Sequence, residues 1–277
     1  MIPKTIHWCW LSGDPIPEKI QNCIDSWKKY LPDYKIKCWT TKEFDINSVK
    51  YVKSAFEQKK WAFCADYIRA FALYNEGGIY LDSDVQVLKS FDDFLHYNFF
   101  SSVEYIPDNV KCFDVVEKCL DKEFNRLPNV PYIHGIGIQA AIMGAEKGNL
   151  YLKDCLDYYQ TLEFSMGKGY DNMAIVAPNI YAIVAEKYGF KYKNEDQALE
   201  NNMIIFKDEV FCIPEYLNNR THALHLVAHS WYEPTLMQKI YQLFSTNKTL
   251  KSIYKSLENN RYTKRLIASI KRNVWLK

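Results

Sequence analysis

An α/β fold is what this sequence predicts, on three observations. Short apolar runs alternate with helical spacings through roughly the first ninety residues. Between 61 and 88 a helix-spaced stretch, a double glycine and an apolar strand lead into Asp82-Ser83-Asp84. From 236 onward apolar residues recur at helical intervals with Lys and Arg between them. The first two point to a strand-and-helix sheet of the nucleotide-binding kind, and the third adds a helical C-terminal extension. The expected division is a body at 1–235 and a basic amphipathic tail at 236–277.

The elements follow in order. TIHWCWL (5–11) and YKIKCWT (34–40) read as strands. PEKIQNCIDSWKKYLP between them reads as a helix, with Pro17 suited to a first turn and Pro32 lying beyond the last. Residues 61–76 carry apolar positions 61, 65, 68 and 72 at helical spacing. Gly77-Gly78 stops that helix, because glycine takes the positive φ a tight helix-to-strand turn needs. IYLDSDVQVL then reads as a strand broken at its acidic centre. Further on, 99–104 is expected as a strand, 110–132 as irregular, and 136–147 and 149–162 as helices. A last helix of the body runs from Pro178 to Tyr188, and VFCIP (210–214) and ALHLVAHSW (223–231) close it in extended form. No internal repeat interrupts this order.

Composition narrows the function classes. The 277 residues are 48 % hydrophobic and 25 % charged, an ordinary globular balance. Eight cysteines lack any C-x-x-C or His/Cys zinc spacing, so reduced, mostly buried thiols are expected in a cytosolic protein. The first residues do not read as a signal peptide, and no window reaches the roughly 18 apolar residues of a spanning helix. A net charge of +2 hides an asymmetry: ten basic residues and one acid follow Leu236, which leaves an acidic body. That distribution argues against a nucleic-acid enzyme, whose basic residues would surround its cleft.

The chemistry concentrates at 61–88. An Asp-x-Asp triplet arises by chance about once in a chain of this size, so Asp82 and Asp84 gain weight only from context. Two carboxylates at the end of an apolar strand suit a hard divalent cation that also holds phosphate oxygens. Asp66 and Arg69, three apart on a helix, share a face; the bland alternative for that pair is a surface ion pair of little worth. The histidines divide by geometry. In an extended chain His225 and His229 sit about 13 Å apart, so a single metal takes one of them. His225 is the expected ligand, and His229 keeps an open role. His7 and His134 read as structural, though His134-Gly-Ile-Gly137 could line a binding cleft; Gln139 is a further candidate without an assigned role.

At this point a resemblance is visible. A-D-Y-I-R-x-x-x-L-Y-x-x-G-G-I-Y-L-D-S-D-V resembles the signature of the glycosyltransferases of family 32. The opening I-P-K-T-I-H-W-C-W with its following P-x-x-I-x-x-C-I-x-S-W, and the late His225-Leu-Val-Ala-His-Ser230-Trp231, resemble two further blocks of that family. The resemblance implies a GT-A type, Rossmann-like domain that binds a UDP- or GDP-sugar with Mn²⁺ or Mg²⁺. Transfer would retain anomeric configuration, on to a glycan or lipid-linked acceptor in surface polysaccharide synthesis, as in capsule or lipopolysaccharide formation.

Carried over residue by residue, Trp10 would stack on the nucleobase and Asp66 with Arg69 would hold donor-sugar hydroxyls. Tyr80 would lie against ribose and phosphates, and Asp82 would contact the donor and the metal's water. Asp84 and His225 would ligate the metal, with Trp231, beside Ser230, donating its indole N–H to the β-phosphate. No residue reads as a nucleophile or base. Two alternatives stand beside the transferase: a nucleotide-sugar hydrolase and a non-catalytic carbohydrate-binding protein.

The tail's basic amphipathic pattern is that of a helix lying on an anionic membrane, which would put the protein at the inner face of the cytoplasmic membrane; the competing reading is a helical subdomain packed on the body. The membrane reading predicts binding to anionic vesicles that weakens with salt and disappears on deletion of 236–277. Sedimentation of full-length and truncated protein with such vesicles measures it, and equal, salt-insensitive behaviour of the two forms would refute it.

Overall fold

The computed structural model describes residues 1–164 and 175–227. The α/β class holds. The chain begins β1 (Thr5–Cys9), α1 (Glu18–Tyr30), β2 (Lys35–Trp39), α2 (Lys50–Glu57), α3 (Trp61–Glu76) and β3 (Gly78–Leu81). β1 lies between β2 and β3 and is parallel to both, with Ile6 opposite Ile36 on one side and Ile79 on the other. Parallel strands need long crossovers, and α1 and the α2–α3 pair supply them.

The chain continues through β4 (Val85–Val87), β5 (Phe99–Tyr105), the short helices α4 (Pro107–Cys112) and α5 (Val115–Lys118), β6 (Ile136–Ile138) and β7 (Ile142–Ala145). α6 (Leu150–Gln160), α7 (Ala177–Ala185), β8 (Gln197–Leu199), β9 (Met203–Phe206), β10 (Phe211–Cys212) and β11 (Ala223–His225) complete it. The large sheet runs β2-β1-β3-β7-β5-β9-β8, with β6 paired to β5, and a small sheet runs β10-β11-β4. The acidic triplet therefore sits where the chain leaves one sheet for the other.

Local chemistry explains the crossing point. His7, fully buried in β1, donates from Nε2 to the Gly77 carbonyl (2.9 Å) and accepts at Nδ1 from the Trp39 indole (3.0 Å). Burial lowers the His7 pKa, which keeps the ring neutral for that pair of bonds. Gly78 takes φ +119°, and a Cβ there would lie 2.5 Å from the Thr5 carbonyl, so only glycine lets α3 turn this tightly into β3. On the other side of the triplet, Trp27 Nε1 donates to the Val85 carbonyl (2.7 Å) and Ser26 Oγ accepts from Val87 N (2.9 Å). Side chains of α1 thus satisfy backbone groups of β4 that β11 leaves open.

The helices expected at 17–32, 61–76 and 149–162 form with bounds within two residues, as α1, α3 and α6, and the stretch from 178 forms as α7 followed by a 3-10 turn at Glu186–Tyr188. The helix expected at 136–147 is instead β6, a turn and β7. Every residue of both strands is buried, so no polar face marks the period, and an unbroken apolar run reads equally as helix or buried strand. Gly144 settles the packing: the Phe100 ring fills the place a Cβ would take, 2.1 Å away. The stretch 110–132, expected as irregular, holds the end of α4 and all of α5. α2, β8 and β9 were not anticipated, their patterns being too short to carry a period. All eight cysteines are free thiols. Among the described residues no helix is long and apolar enough to cross a membrane. The division expected at 235/236 lies outside the described residues.

Gly78→Ala is expected to destabilise the protein by about 1–3 kcal/mol through steric conflict and a φ that alanine resists. Urea unfolding followed by tryptophan fluorescence measures it, with Gly148→Ala, where a Cβ meets nothing within 4 Å, as the milder comparison.

Candidate functional site

The site is assembled from α3, the turn after β3, and the end of β11. Leu81 is the last residue of β3 and Val85 the first of β4, so the triplet is a turn held at both ends. Asp82 N donates to the Ala141 carbonyl (2.8 Å), and Val85 N donates back to the Asp82 carbonyl (3.0 Å). The Asp84 carbonyl accepts from Leu226 N (3.0 Å), and His225 pairs with Val85 across the antiparallel β4–β11 ladder. That register sets the His225 ring beside Asp84, Nε2 to Oδ1 3.5 Å. One ligand atom each from Asp82, Asp84 and His225 fall within 4.8 Å of one another.

Behind this group lies a buried guanidinium. Arg69 is only 3 % exposed; its Nη2 lies 2.8 Å from Asp66 Oδ1 and 3.4 Å from Asp82 Oδ1. Its Nε donates to the Ala65 carbonyl (3.2 Å), and its Cζ sits 4.9 Å from the centre of the Tyr80 ring. The Tyr80 hydroxyl donates to Asp82 Oδ1 (2.9 Å), and the Asp66 carbonyl accepts from the Tyr181 hydroxyl (2.9 Å). The surface ion pair that i, i+3 spacing alone allowed is therefore a buried one.

Charge follows from burial. Burial lifts the Asp66 carboxyl to about 7, with Arg69 pulling it down and Asp82 pushing it up. Burial also opposes a charge on Arg69, yet Asp82, Tyr80 and Asp66 together hold its pKa well above the ordinary value. At His225, burial works against protonation, but the hydrogen bond and charge of Asp84, with Asp82 and Glu104, outweigh it and raise the pKa. The site is thus an electronegative corner anchored on one fixed cation.

The donor set fits a divalent metal. Two carboxylates and one imidazole, convergent and partly buried, are ligands that Mn²⁺ accepts and that Mg²⁺ accepts through its oxygens. A third ligand supplied by another strand is the part that the spacing of the triplet could not give.

Other expected residues are placed as follows. Trp10, just past β1, is half-buried beside Trp8 (ring centres 6.1 Å), and its indole N–H donates to the Asp14 carbonyl (2.7 Å). Tyr80, expected against ribose and phosphates, is buried in β3 and touches Asp82 and Arg69. Gln139 is buried in the β6–β7 turn, where its Oε1 accepts from Ile142 N (3.1 Å). His134 stacks on Phe113 with ring centres 4.0 Å apart, and burial lowers its pKa. His229, Ser230 and Trp231 lie outside the described residues, as does the tail. Sequence reasoning missed Glu104 in β5, which lies within electrostatic reach of His225 and Asp66. Its signal was a lone acid near the end of the strand FFSSVEY, a pattern shared by many surface strands.

Comparison with known proteins matches this segment. Residues 17–100 match the family described as "Glycosyltransferase sugar-binding region containing DXD motif". Inositol phosphoceramide mannosyltransferase 3 of Schizosaccharomyces pombe is 36 % identical over 104 residues, 35 % of this chain and 28 % of the relative. An uncharacterized glycosyltransferase, L373, of Acanthamoeba polyphaga mimivirus is 32 % identical over 106 residues, 36 % of this chain and 42 % of the relative. The matched segment thus spans less than half of these relatives. Among solved structures, the PaToxG glycosyltransferase covers 67 % of this chain and 69 % of its own, with TM-score 0.45 and 19 % identity. The galactosyltransferase LgtC with donor and acceptor sugar analogues covers 81 % and 87 %, with TM-score 0.43 and 10 % identity. The resemblance to the DXD-containing sugar transferases is met over the segment that carries the triplet.

Arg69→Ala is expected to cost about 3–5 kcal/mol, because it leaves Asp66 and Asp82 without their shared cation. Thermal unfolding at neutral pH measures the loss. At pH 4 the loss should shrink, since the raised Asp66 carboxyl is then protonated and neutral.

Proposed function

We propose that this chain is a metal-dependent glycosyltransferase that moves a sugar from a nucleoside diphosphate donor to a hydroxyl acceptor. The observation that carries the reading is the convergence of Asp82, Asp84 and His225 beside the buried Arg69 network, inside the segment that matches the DXD family.

On this reading Asp84 and His225 hold the metal, with Asp82 in the same group, and the ion when bound supplies charge that stabilises the departing diphosphate. The chain's own residues do the rest. Asp66 presents a carboxyl edge to donor-sugar hydroxyls, and Arg69 holds Asp66 and Asp82 together through its Nη2, which lies against both carboxylates. Tyr80 stands behind Asp82 and keeps one carboxylate oxygen occupied, so the other faces the ligand. Trp10 offers an aromatic face to the nucleobase at the mouth of the β1 loop. Ser230 and Trp231 are assigned to the donor phosphates by the resemblance of their sequence block alone, and His229 keeps an open role.

The finer terms of the proposal are retention of anomeric configuration and a glycan or lipid-linked acceptor in surface polysaccharide synthesis. The protein works on the inner face of the cytoplasmic membrane, held by its basic tail. The name of the fission-yeast relative favours a mannosyl donor and a lipid-linked acceptor.

The test is ligand-induced stabilisation, because a donor that binds only the folded state raises its stability. With Mn²⁺ present, one member of a panel of UDP- and GDP-sugars should raise Tm, and removing the metal with a chelator should abolish the rise. Asp84→Ala should lose it while keeping the metal-free Tm within a few degrees. A rise that survives both chelation and Asp84→Ala would overturn the metal-dependent reading and favour simple sugar binding.

A further inference from the structure

Among the described residues two buried side-chain polar atoms have no hydrogen-bond partner, and both are tyrosine hydroxyls, those of Tyr51 and Tyr159. Tyr51 comes from α2 and Tyr159 from the last turn of α6, and both side chains are buried. Their rings meet edge to face with centres 5.1 Å apart, so the two orphaned groups belong to one contact rather than to two scattered defects. A buried hydroxyl without a partner costs stability. Phenylalanine would fill either place without that cost, as Phe63 and Phe164 do in the same cluster.

The cluster covers the side of α3 that carries Asp66. Residues 63, 66 and 67 lie along one side of that helix. Phe63 packs on Phe164 (ring centres 5.0 Å), and Tyr67 meets Tyr159 edge on (5.9 Å). Asp66 stands between them in the row. Its backbone carbonyl accepts from the Tyr181 hydroxyl (2.9 Å), and the Tyr181 ring adjoins that of Tyr159 (6.4 Å). Within the Asp66 carboxyl, Oδ1 is the atom that accepts from Arg69. Burial holds both orphaned phenols well above their ordinary pKa; the Asp66 carboxylate adds to this at Tyr51, and Tyr181 and then Asp66 add to it at Tyr159. Both are therefore neutral and able to donate.

We propose that Tyr51 and Tyr159 together hold a buried water molecule that hydrogen-bonds the Asp66 carboxyl, which makes both tyrosines positioning residues for the donor sugar. Buried waters make about three hydrogen bonds to polar groups that would otherwise go unpaired, and two hydroxyls with one carboxyl are such a set. The water accepts from the two phenols and donates to the carboxylate. Arg69 steadies that carboxylate at Oδ1, and the water steadies it from the side of α2 and α6. Two helices outside the metal group thereby set the angle at which Asp66 meets a sugar hydroxyl. The task given to Asp66 rests on the transferase reading; the water site stands on the tyrosine cluster itself.

The test uses the full-length protein. A wild-type crystal structure that shows ordered solvent should place one water within hydrogen-bond distance of both hydroxyls and of an Asp66 carboxyl oxygen. Tyr51→Phe and Tyr159→Phe should each lower Tm by about 2–4 °C, since each removes a bond to the water. If the hydroxyls were unpaired, the same substitutions would raise Tm. The double variant should lose less than the two single losses together, because the water leaves with the first. At a temperature where all forms are folded, each variant should also bind the Mn²⁺ complex of the stabilising UDP- or GDP-sugar roughly 3–10-fold more weakly. A protein group bonded to either hydroxyl in the crystal, a Tm that rises or stays level in either single variant, or donor affinity unchanged in both would overturn the proposal. A wild-type protein that no donor stabilises would overturn the transferase reading and the positioning role with it, while a crystal water and lowered Tm in both variants would still establish the water site.

Discussion

One buried guanidinium constrains everything around it. Arg69 sits on a helix that is buried along most of its length, and a charge at 3 % exposure survives only if carboxylates meet it. Asp66 and Asp82 do so, and Tyr80 covers the cation with its ring. Because the two carboxylates come from different elements, their shared partner fixes the distance between α3 and the turn after β3. The pairing is expensive in desolvation and gains little stability beyond its own cost. What it secures is orientation: Asp82 is held by a cation and a hydroxyl before any ligand arrives.

A second constraint is the passage of the chain between two sheets. A continuous strand would have carried Asp82 and Asp84 along one sheet, open on one face. Here β3 ends in the large sheet and β4 begins in the small one, so the backbone bends through the triplet. The small sheet then delivers His225 by register, opposite Val85. The bend is supported from outside the site. His7 ties β1 to Gly77, and Trp27 and Ser26 of α1 cap the backbone of β4. Apolar packing and buried hydrogen bonds thereby position charged groups that repel one another.

The legible parts of the fold share a cause. α1, α3 and α6 were readable because each is long enough to repeat its pattern several times, and the glycine pair marks its stop through φ alone. The stretch 136–147 was misread because burial on both faces removes the polar positions that distinguish a period of two from one of 3.6. In the site, Asp66, Arg69, Asp82 and Asp84 were legible as one local cluster within 19 residues. His225 was legible only through a distant block of sequence. Glu104 was not legible, since nothing in FFSSVEY separates an acid within reach of the site's charges from one facing water alone.

What the sequence by itself determined is the local grammar: helix, glycine stop, strand, and a pair of carboxylates two residues apart, with an acid and a base one turn upstream. These depend on backbone conformation and nearest neighbours, which composition and spacing encode directly. What only the tertiary structure decided is which of these groups are buried, which share a partner, and which arrive from elsewhere. Tyr80 turned inward to hold Asp82, the ion pair of Asp66 became a buried one, and β11 brought an imidazole to the same corner, with Glu104 of β5 in electrostatic reach of it. Such relations come from strand order and register over separations of more than a hundred residues. Long-range pairing follows from the packing of the whole core, and no local pattern carries it.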